Sequence, residues 1–151
     1  MIKFKLLSRT LIALSLCAGS MSLAWAQSDF AQQAAKEPGA KVTASGLVFR
    51  SLQEGQGASP MASDKVKVHY RGTLPDGKEF DSSYKRNQPN DFPLSAVIPC
   101  WTEGVQLMKV GSKAKLTCPP AIAYGSRGAG GVIPPNATLQ FEVELIAIAG
   151  K

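Results

Sequence analysis

The sequence is poor in the side chains on which most catalytic machinery depends. Its 151 residues include one histidine, His69, and three cysteines. His69 lies in an alternating strand pattern, where we favour a structural hydrogen bond over a role as a base, so a serine or cysteine nucleophile lacks a base partner. One histidine and a few widely spaced cysteines make no zinc-ligand set, and the glycine-rich stretch 125–131 is not followed by Gly-Lys-Ser/Thr. We therefore expect no covalent, metal or cofactor chemistry.

The sequence also lacks the run of about 20 apolar residues that a membrane-spanning helix needs. Residues 1–10 carry three basic side chains, residues 11–18 are apolar, and residues 24–26 read Ala-Trp-Ala. This order is typical of a secretory signal peptide. We predict a signal peptide over 1–26, cleavage after Ala26, and a periplasmic mature chain without membrane contact. An uncleaved anchor is the alternative.

Removal of this segment changes both the charge and the cysteine count. The full chain has a net charge of +6, and loss of three of its 17 basic residues leaves about +3. The remaining basic residues alternate with acids and form no run longer than Lys85-Arg86, so we expect no nucleic-acid partner. Two cysteines remain, Cys100 and Cys118, and an even number in an exported protein favours a disulfide. Two buried free thiols are the alternative.

The hydrophobic pattern predicts five strands and one helix. The helix begins near Pro99, which suits a first helical position, and Trp101, Val105 and Met108 form its buried stripe before Gly111 ends it. Alternation predicts strands over residues 47–52, 66–71, 78–80, 114–118 and 138–148.

These elements predict an α+β domain over residues 46–151, an antiparallel sheet with one short helix lying across it. Residues 27–45 are polar and rich in alanine, so we predict a disordered leader. Residues 82–95 hold two prolines, two asparagines and several charges, which predicts a long surface loop.

Aromatic residues make up only 7% of the chain, yet they occur at the ends of predicted elements. Tyr70, Phe80 and Trp101 lie at such ends, together with one carboxylate, Asp81, and one phenol, Tyr124. This combination predicts a shallow apolar pocket with a few polar groups.

The same segments closely resemble the FKBP family of prolyl isomerases, and most of all its exported bacterial branch, which includes the macrophage infectivity potentiators. The matching segments are Val68-His69-Tyr70, Asp76-Gly77 through Phe80-Asp81-Ser82-Ser83, Val97-Ile98-Pro99-Cys100-Trp101-Thr102-Glu103-Gly104, Ala123-Tyr124-Gly125 and Ile133-Pro134-Pro135-Asn136-Ala137-Thr138-Leu139. The resemblance implies a twisted antiparallel sheet of about five strands wrapped around the short helix. It also implies cis–trans isomerisation of X-Pro bonds in unfolded or extended exported proteins, without a cofactor, and binding of macrolide inhibitors.

The resemblance also implies a role for each matching residue. Trp101 is the pocket floor, the Ile98 N–H and the Tyr124 hydroxyl bind substrate carbonyls, and Asp81 is the carboxylate at the pocket edge. The walls and the overhanging loop are Tyr70, Phe80, Phe92, Val97, Val132, Ile133 and Phe141. The chain departs from the family at Asn90, where an aromatic wall is common, and at Ala129, where a histidine is common. Both departures concern substrate and drug preference.

Two further expectations remain open at this point. A chaperone or peptide-binding module could use the same pocket without catalysing rotation, and this is the alternative function. The sequence shows no long helical arm of the kind that dimerises some exported relatives, so we expect a monomer.

Overall fold

The computed structural model describes the backbone of residues 21–151 and the side chains from Ser28 onward. Most of the predicted signal peptide, residues 1–20, lies outside the described residues. The helices are α1 (Met21–Ala35) and α2 (Pro99–Gln106), and the strands are β1 (Ala40–Val42), β2 (Val48–Gln53), β3 (Lys65–Thr73), β4 (Glu79–Ser82), β5 (Asn90–Pro93), β6 (Lys113–Cys118) and β7 (Leu139–Ile148). Neither of these helices, as described, is long and apolar enough to cross a membrane.

The strands form one antiparallel sheet in the order β1-β2-β6-β7-β3-β4. Strand β5 pairs with β3 on the same edge as β4, so that β4 borders one end of β3 and β5 the other. The α+β prediction is confirmed. The sheet has seven strands rather than about five, because the short strands β1 and β5 have no alternating pattern to reveal them.

One face of the sheet packs against α2 and forms the core. In β7, Leu139, Phe141, Val143 and Leu145 are buried, as the alternation predicts. Strand β3 contributes Val66, Val68 and Tyr70 to the same face, and α2 contributes Trp101 and Val105. The helix ends at Gln106, earlier than the predicted end before Gly111, so the buried Met108 lies just beyond it. The core therefore extends continuously from the two central strands to the helix.

Helix α2 is fixed to the sheet at its first turn. Cys100, in that turn, forms a disulfide with Cys118 at the end of β6, with the two Cα atoms 5.8 Å apart. Both cysteines are fully buried. The disulfide prediction is confirmed, and the alternative of free thiols is set aside. The disulfide places Trp101, the next residue, directly over the core.

The prediction of a disordered leader over residues 27–45 is wrong in the described residues. Helix α1 continues to Ala35, and β1 pairs with β2. The Glu37 carboxylate binds Arg50 at 2.6 Å and Lys115 at 2.8 Å, which attaches this segment to β2 and β6. The leader contains little apolar surface of its own, so its order depends on partners that lie far along the sequence.

The prediction of a surface loop over residues 82–95 is correct only in part. Residues 83–89 form a turn, but β5 then pairs with β3, with Lys65 opposite Pro93 and Val68 opposite Asn90. A short 3-10 turn follows over Leu94–Ala96. Proline is tolerated in β5 because the strand lies at the edge of the sheet.

Candidate active site

A hollow of about 480 Å³ opens between α2 and the β3–β4–β5 side of the sheet. Its lining combines aromatic rings, aliphatic side chains and three oxygen-bearing side chains, two phenols and a carboxylate. The lining residues are Tyr70, Phe80, Asp81, Phe92, Ala96, Val97, Ile98, Trp101, Tyr124 and Phe141.

Trp101 is the floor of this pocket. Its side chain is almost fully buried, and three rings meet the indole nearly at right angles, with centroids 5.3 Å away for Tyr70, 5.5 Å for Phe92 and 5.4 Å for Phe141. The buried indole Nε1 has no hydrogen-bond partner among the described residues. The rings around this N–H offer it only their aromatic faces as weak acceptors. The floor of the pocket is therefore an apolar surface.

Gly72 allows two wall rings to close over β3. A Cβ atom at this position would lie 2.5 Å from Phe80 Cζ and 3.0 Å from Phe141 Cε1. Without that atom, Phe80 and Phe141 pack edge to face with centroids 5.6 Å apart. Glycine at this position therefore shapes the wall by its lack of a side chain.

The polar corner of the pocket is a closed cluster of three side chains. The Tyr70 hydroxyl donates to Asp81 Oδ2. Arg86 donates to Asp81 Oδ1 at 2.7 Å and to the Tyr70 hydroxyl at 3.0 Å. A further bond from Arg86 to Asn90 Oδ1, 3.2 Å long, holds the guanidinium against β5.

This cluster determines the ionisation of its members. Burial by itself would raise the pKa of Asp81, but the hydrogen bonds from Tyr70 and Arg86 and the guanidinium charge outweigh it, so the pKa is lowered. Burial and the bond to Asp81 raise the pKa of Tyr70. At neutral pH the corner therefore contains a carboxylate, a neutral phenol and a guanidinium, and the last two hold their protons more tightly than usual.

Two donors at the pocket are placed to receive a ligand. Ile98 immediately precedes the first turn of α2, where backbone N–H groups have no intrahelical acceptor. Tyr124 lies at the rim with 40% of its surface exposed. An amide N–H and a phenol therefore border the apolar floor.

Nine of the eleven site residues that the sequence predicts line the hollow. The other two, Val132 and Ile133, do not line it: Val132 is 49% exposed, and Ile133 is buried in the core at 6%. The structure also adds Ala96 to the lining and Arg86 to the polar corner, neither of which sequence reasoning selected. Arg86 reaches Asp81 only because the chain turns back after β4, and no motif in the sequence signals that contact.

His69 lies on the opposite face of the sheet and does not line the pocket. Its Nδ1 is 2.9 Å from the Ser83 hydroxyl, and its ring stacks on Tyr84 with centroids 4.7 Å apart. In the part of the chain that the structure describes, no group of three His, Cys, Asp or Glu side chains could hold a metal ion.

The fold and the pocket together define a class of protein. It is an α+β domain with an apolar aromatic hollow between sheet and helix, suited to an apolar segment with a few carbonyl groups. Residues 56–146 match the family described as FKBP-type peptidyl-prolyl cis-trans isomerase. The chain belongs to this family, which confirms the resemblance drawn from its motifs.

Individual relatives agree with this assignment. The FKBP-type isomerase FkpA of Aeromonas hydrophila is 59% identical over 114 residues, which is 76% of this chain and 42% of the relative. FK506-binding protein 1 of Dictyostelium discoideum is 56% identical over 103 residues, which is 67% of this chain and 96% of the relative. A crystal structure of a peptidyl-prolyl cis-trans isomerase from Pseudomonas syringae superposes with a TM-score of 0.80 at 40% identity, covering 89% of this chain and 98% of that one.

The bacterial curated relatives are longer than this chain. It spans 42% of the A. hydrophila protein and 58% of a 22 kDa FKBP-type isomerase from Escherichia coli, which is about half of their length.

Proposed function

We propose that this protein catalyses cis–trans isomerisation of X-Pro peptide bonds in unfolded or extended polypeptides. The observation that carries the proposal is the convergence of three rings on the Trp101 floor, in a pocket whose one carboxyl group has a lowered pKa and is ionised at neutral pH. A bond rotation requires neither a nucleophile nor a base. An apolar hollow bordered by two donors is therefore sufficient machinery for this reaction and poorly suited to hydrolysis.

The pocket lowers the barrier by changing the environment of the amide. Rotation about a peptide bond faces about 18–20 kcal/mol, because resonance gives the C–N bond double-bond character. Water stabilises the charge-separated planar amide, and an aromatic pocket stabilises it less. The rotated amide has lost that charge separation, so it gives up less stabilisation by water when it enters the same pocket. An acceleration of about 10⁵ to 10⁶ corresponds to about 7–8 kcal/mol of differential stabilisation.

The residues have distinct roles in this proposal. Trp101 receives the proline ring, and Ile98 N–H and the Tyr124 hydroxyl hold the carbonyls on either side of the rotating bond. Asp81 maintains the wall by holding Tyr70. Val132, which is exposed outside the hollow, would contact the flanking residues of the substrate, and the buried Ile133 would hold that segment against the core.

The same surface would accept a macrolide inhibitor that presents a saturated ring and adjacent carbonyls. FK506-binding protein 1 of D. discoideum is named after such a ligand. Asn90 takes part in the polar corner through Arg86 rather than forming an apolar wall, so the affinity for a given macrolide will differ from that of relatives with an aromatic residue there.

The direct test compares Tyr124→Phe and Trp101→Leu with the wild-type protein in an NMR exchange assay on a short X-Pro peptide. Both changes should lower kcat/KM, Trp101→Leu by about tenfold or more, because the floor and a carbonyl donor act only while the amide is bound. Tyr84→Phe is the matched control, since it removes an exposed phenol that bonds to Glu144 at 3.1 Å outside the pocket.

Unchanged rates in both pocket variants would contradict the proposal. A wild-type protein that binds the peptide and suppresses aggregation of a proline-free client, yet does not accelerate exchange, would establish the binding-module alternative instead.

We also propose export with cleavage after Ala26 and a monomeric mature protein. The disulfide supports an oxidising compartment. Mass spectrometry of the periplasmic protein, combined with light scattering, tests both points: a mature mass beginning at Gln27 and the mass of one chain are the expected results.

A further inference from the structure

Ser83 fills a gap in the sheet directly behind the pocket wall. Along one edge of β3, β4 pairs as far as Arg71 opposite Ser82, and β5 pairs as far as Val68 opposite Asn90. Tyr70 lies between these two stretches, opposite neither strand. On its other side Tyr70 lies opposite Val143 of β7, but its backbone N–H and C=O point to this edge. They therefore need a partner here, because buried backbone polar groups are almost always paired.

Ser83 supplies both bonds. Its backbone N–H donates to the Tyr70 carbonyl at 3.0 Å, as a further residue of β4 would. Its own carbonyl does not continue the ladder and instead accepts the Gln88 N–H at 3.3 Å in the turn that follows. The Ser83 hydroxyl takes that place, accepting the Tyr70 N–H at 2.8 Å in a fully buried position.

The same hydroxyl has two more contacts, which assign the proton of His69. Ser83 Oγ lies 3.2 Å from the Tyr70 carbonyl and 2.9 Å from His69 Nδ1. A serine hydroxyl donates one hydrogen and accepts at two lone pairs. The Tyr70 N–H can only donate and its carbonyl can only accept, so all three contacts are satisfied only when Nδ1 carries a hydrogen and donates it to Ser83.

We infer that Ser83 is a positioning residue for the Tyr70 wall of the pocket and that His69, on the far face of the sheet, serves it as a donor through Nδ1–H. Only the predicted effect of Ser83 on the isomerisation rate rests on the proposed function, and the structural role of Ser83 does not. Tyr70 contacts the Trp101 floor and holds the Asp81–Arg86 corner. A shift of its backbone therefore displaces a ring and a polar group of the pocket together.

The first test is Ser83→Ala in the full-length protein. This change leaves the buried Tyr70 N–H without its acceptor, and kcat/KM for an X-Pro peptide should fall by about tenfold. The matched control is Ser112→Ala, which removes a buried hydroxyl that accepts the Lys109 N–H at 3.2 Å away from the pocket. It should lose stability but retain kcat/KM at temperatures where both variants are folded.

The second test does not depend on activity, and its first measurement is made on the wild-type protein. The chain contains one histidine, so the ¹⁵N shifts of its ring give a single, unambiguous set. With the ring neutral, we expect the hydrogen on Nδ1, opposite to the Nε2–H form that free histidine favours. Amide exchange at Tyr70 should be slow in the wild type, faster in Ser83→Ala and unchanged in Ser112→Ala.

The outcomes separate the two proposals. Equal kcat/KM for Ser83→Ala and Ser112→Ala would overturn the positioning role, and an Nε2–H ring would overturn the donor assignment. If the wild type lacks isomerase activity, the proposed function fails, while slow Tyr70 exchange that depends on Ser83 would still support the structural role, and fast exchange would overturn it.

Discussion

Among single residues, Asp81 combines a lowered pKa with bonds that leave it unsuited to acid–base chemistry. Both of its oxygens are hydrogen-bonded, one to the Tyr70 hydroxyl and one to Arg86. Its pKa is lowered despite a partly buried position, because these bonds favour the carboxylate over the acid. The group therefore remains charged throughout the physiological range and holds the pocket wall in place.

This ionisation predicts a pH-dependent contribution to stability. A carboxyl group whose pKa is lower in the folded than in the unfolded state stabilises the fold fully above the unfolded value of about 3.9 and loses that effect as the pH falls through the folded pKa. The free energy of unfolding of the wild type should exceed that of Asp81→Asn at neutral pH, and the difference should shrink in acid.

Denaturant titrations at several pH values measure this difference. Asp91→Asn is the matched control, because Asp91 is an exposed carboxylate on β5 outside the cluster. A difference between wild type and Asp81→Asn that does not change with pH would show that Asp81 acts through shape and hydrogen bonding rather than charge.

Among the elements, α2 depends on β6 for its position. The helix has only eight residues, which is too short to be stable by itself. Its buried residues and the Cys100–Cys118 disulfide attach it to the sheet. Gly104 allows close approach, since a Cβ at that position would lie 2.8 Å from the Leu116 methyl groups. The pocket floor is therefore placed by contacts that the helix makes with the sheet.

Removal of the disulfide should weaken this attachment. The cysteines are 18 residues apart, and a cross-link of this length contributes about 3 kcal/mol by restricting the unfolded chain. We expect the double variant Cys100→Ala, Cys118→Ala to have a free energy of unfolding lower by about 3 kcal/mol. A reductant should lower the stability of the wild type to a similar extent and leave the double variant unchanged; sensitivity of the double variant would contradict this explanation.

In the whole molecule, one carboxylate joins the N-terminal segment to the domain. Glu37 binds Lys115 and Arg50, and the bond from Lys115 is the largest cause of its lowered pKa. Arg50 also donates to the Pro38 carbonyl at 3.0 Å. The segment that contains α1 and β1 is therefore held by polar contacts at the sheet, far from the pocket lining.

Glu37→Gln should loosen this segment without affecting the pocket. Each partly exposed ion pair contributes up to about 1 kcal/mol, so limited proteolysis within residues 36–45 should accelerate by about threefold to tenfold. The X-Pro isomerisation rate should be unchanged. Proteolysis at the wild-type rate would show that the pairing of β1 with β2 is enough to hold the segment.

The parts of the pocket that the sequence predicted are those that follow from a local pattern. Trp101 follows the proline that begins a helix, and the alternation in β7 places Phe141 on the buried face. Ser83, Arg86 and Glu37 have no such pattern. Each is a polar residue whose partner lies across a turn or on another strand, and local spacing does not specify those distances.

The sequence by itself predicted the α+β class, a helix that begins near Pro99, a disulfide as the favoured state of Cys100 and Cys118, and most of the rings around the pocket. Hydrophobic periodicity and proline geometry act over a few residues, so they can be read along the chain. Only the tertiary structure decided that β4 and β5 share one edge of β3, that Ser83 fills the gap between them, and that Arg86 closes the polar corner. These features depend on where separate segments meet, and that is set by packing of the whole core.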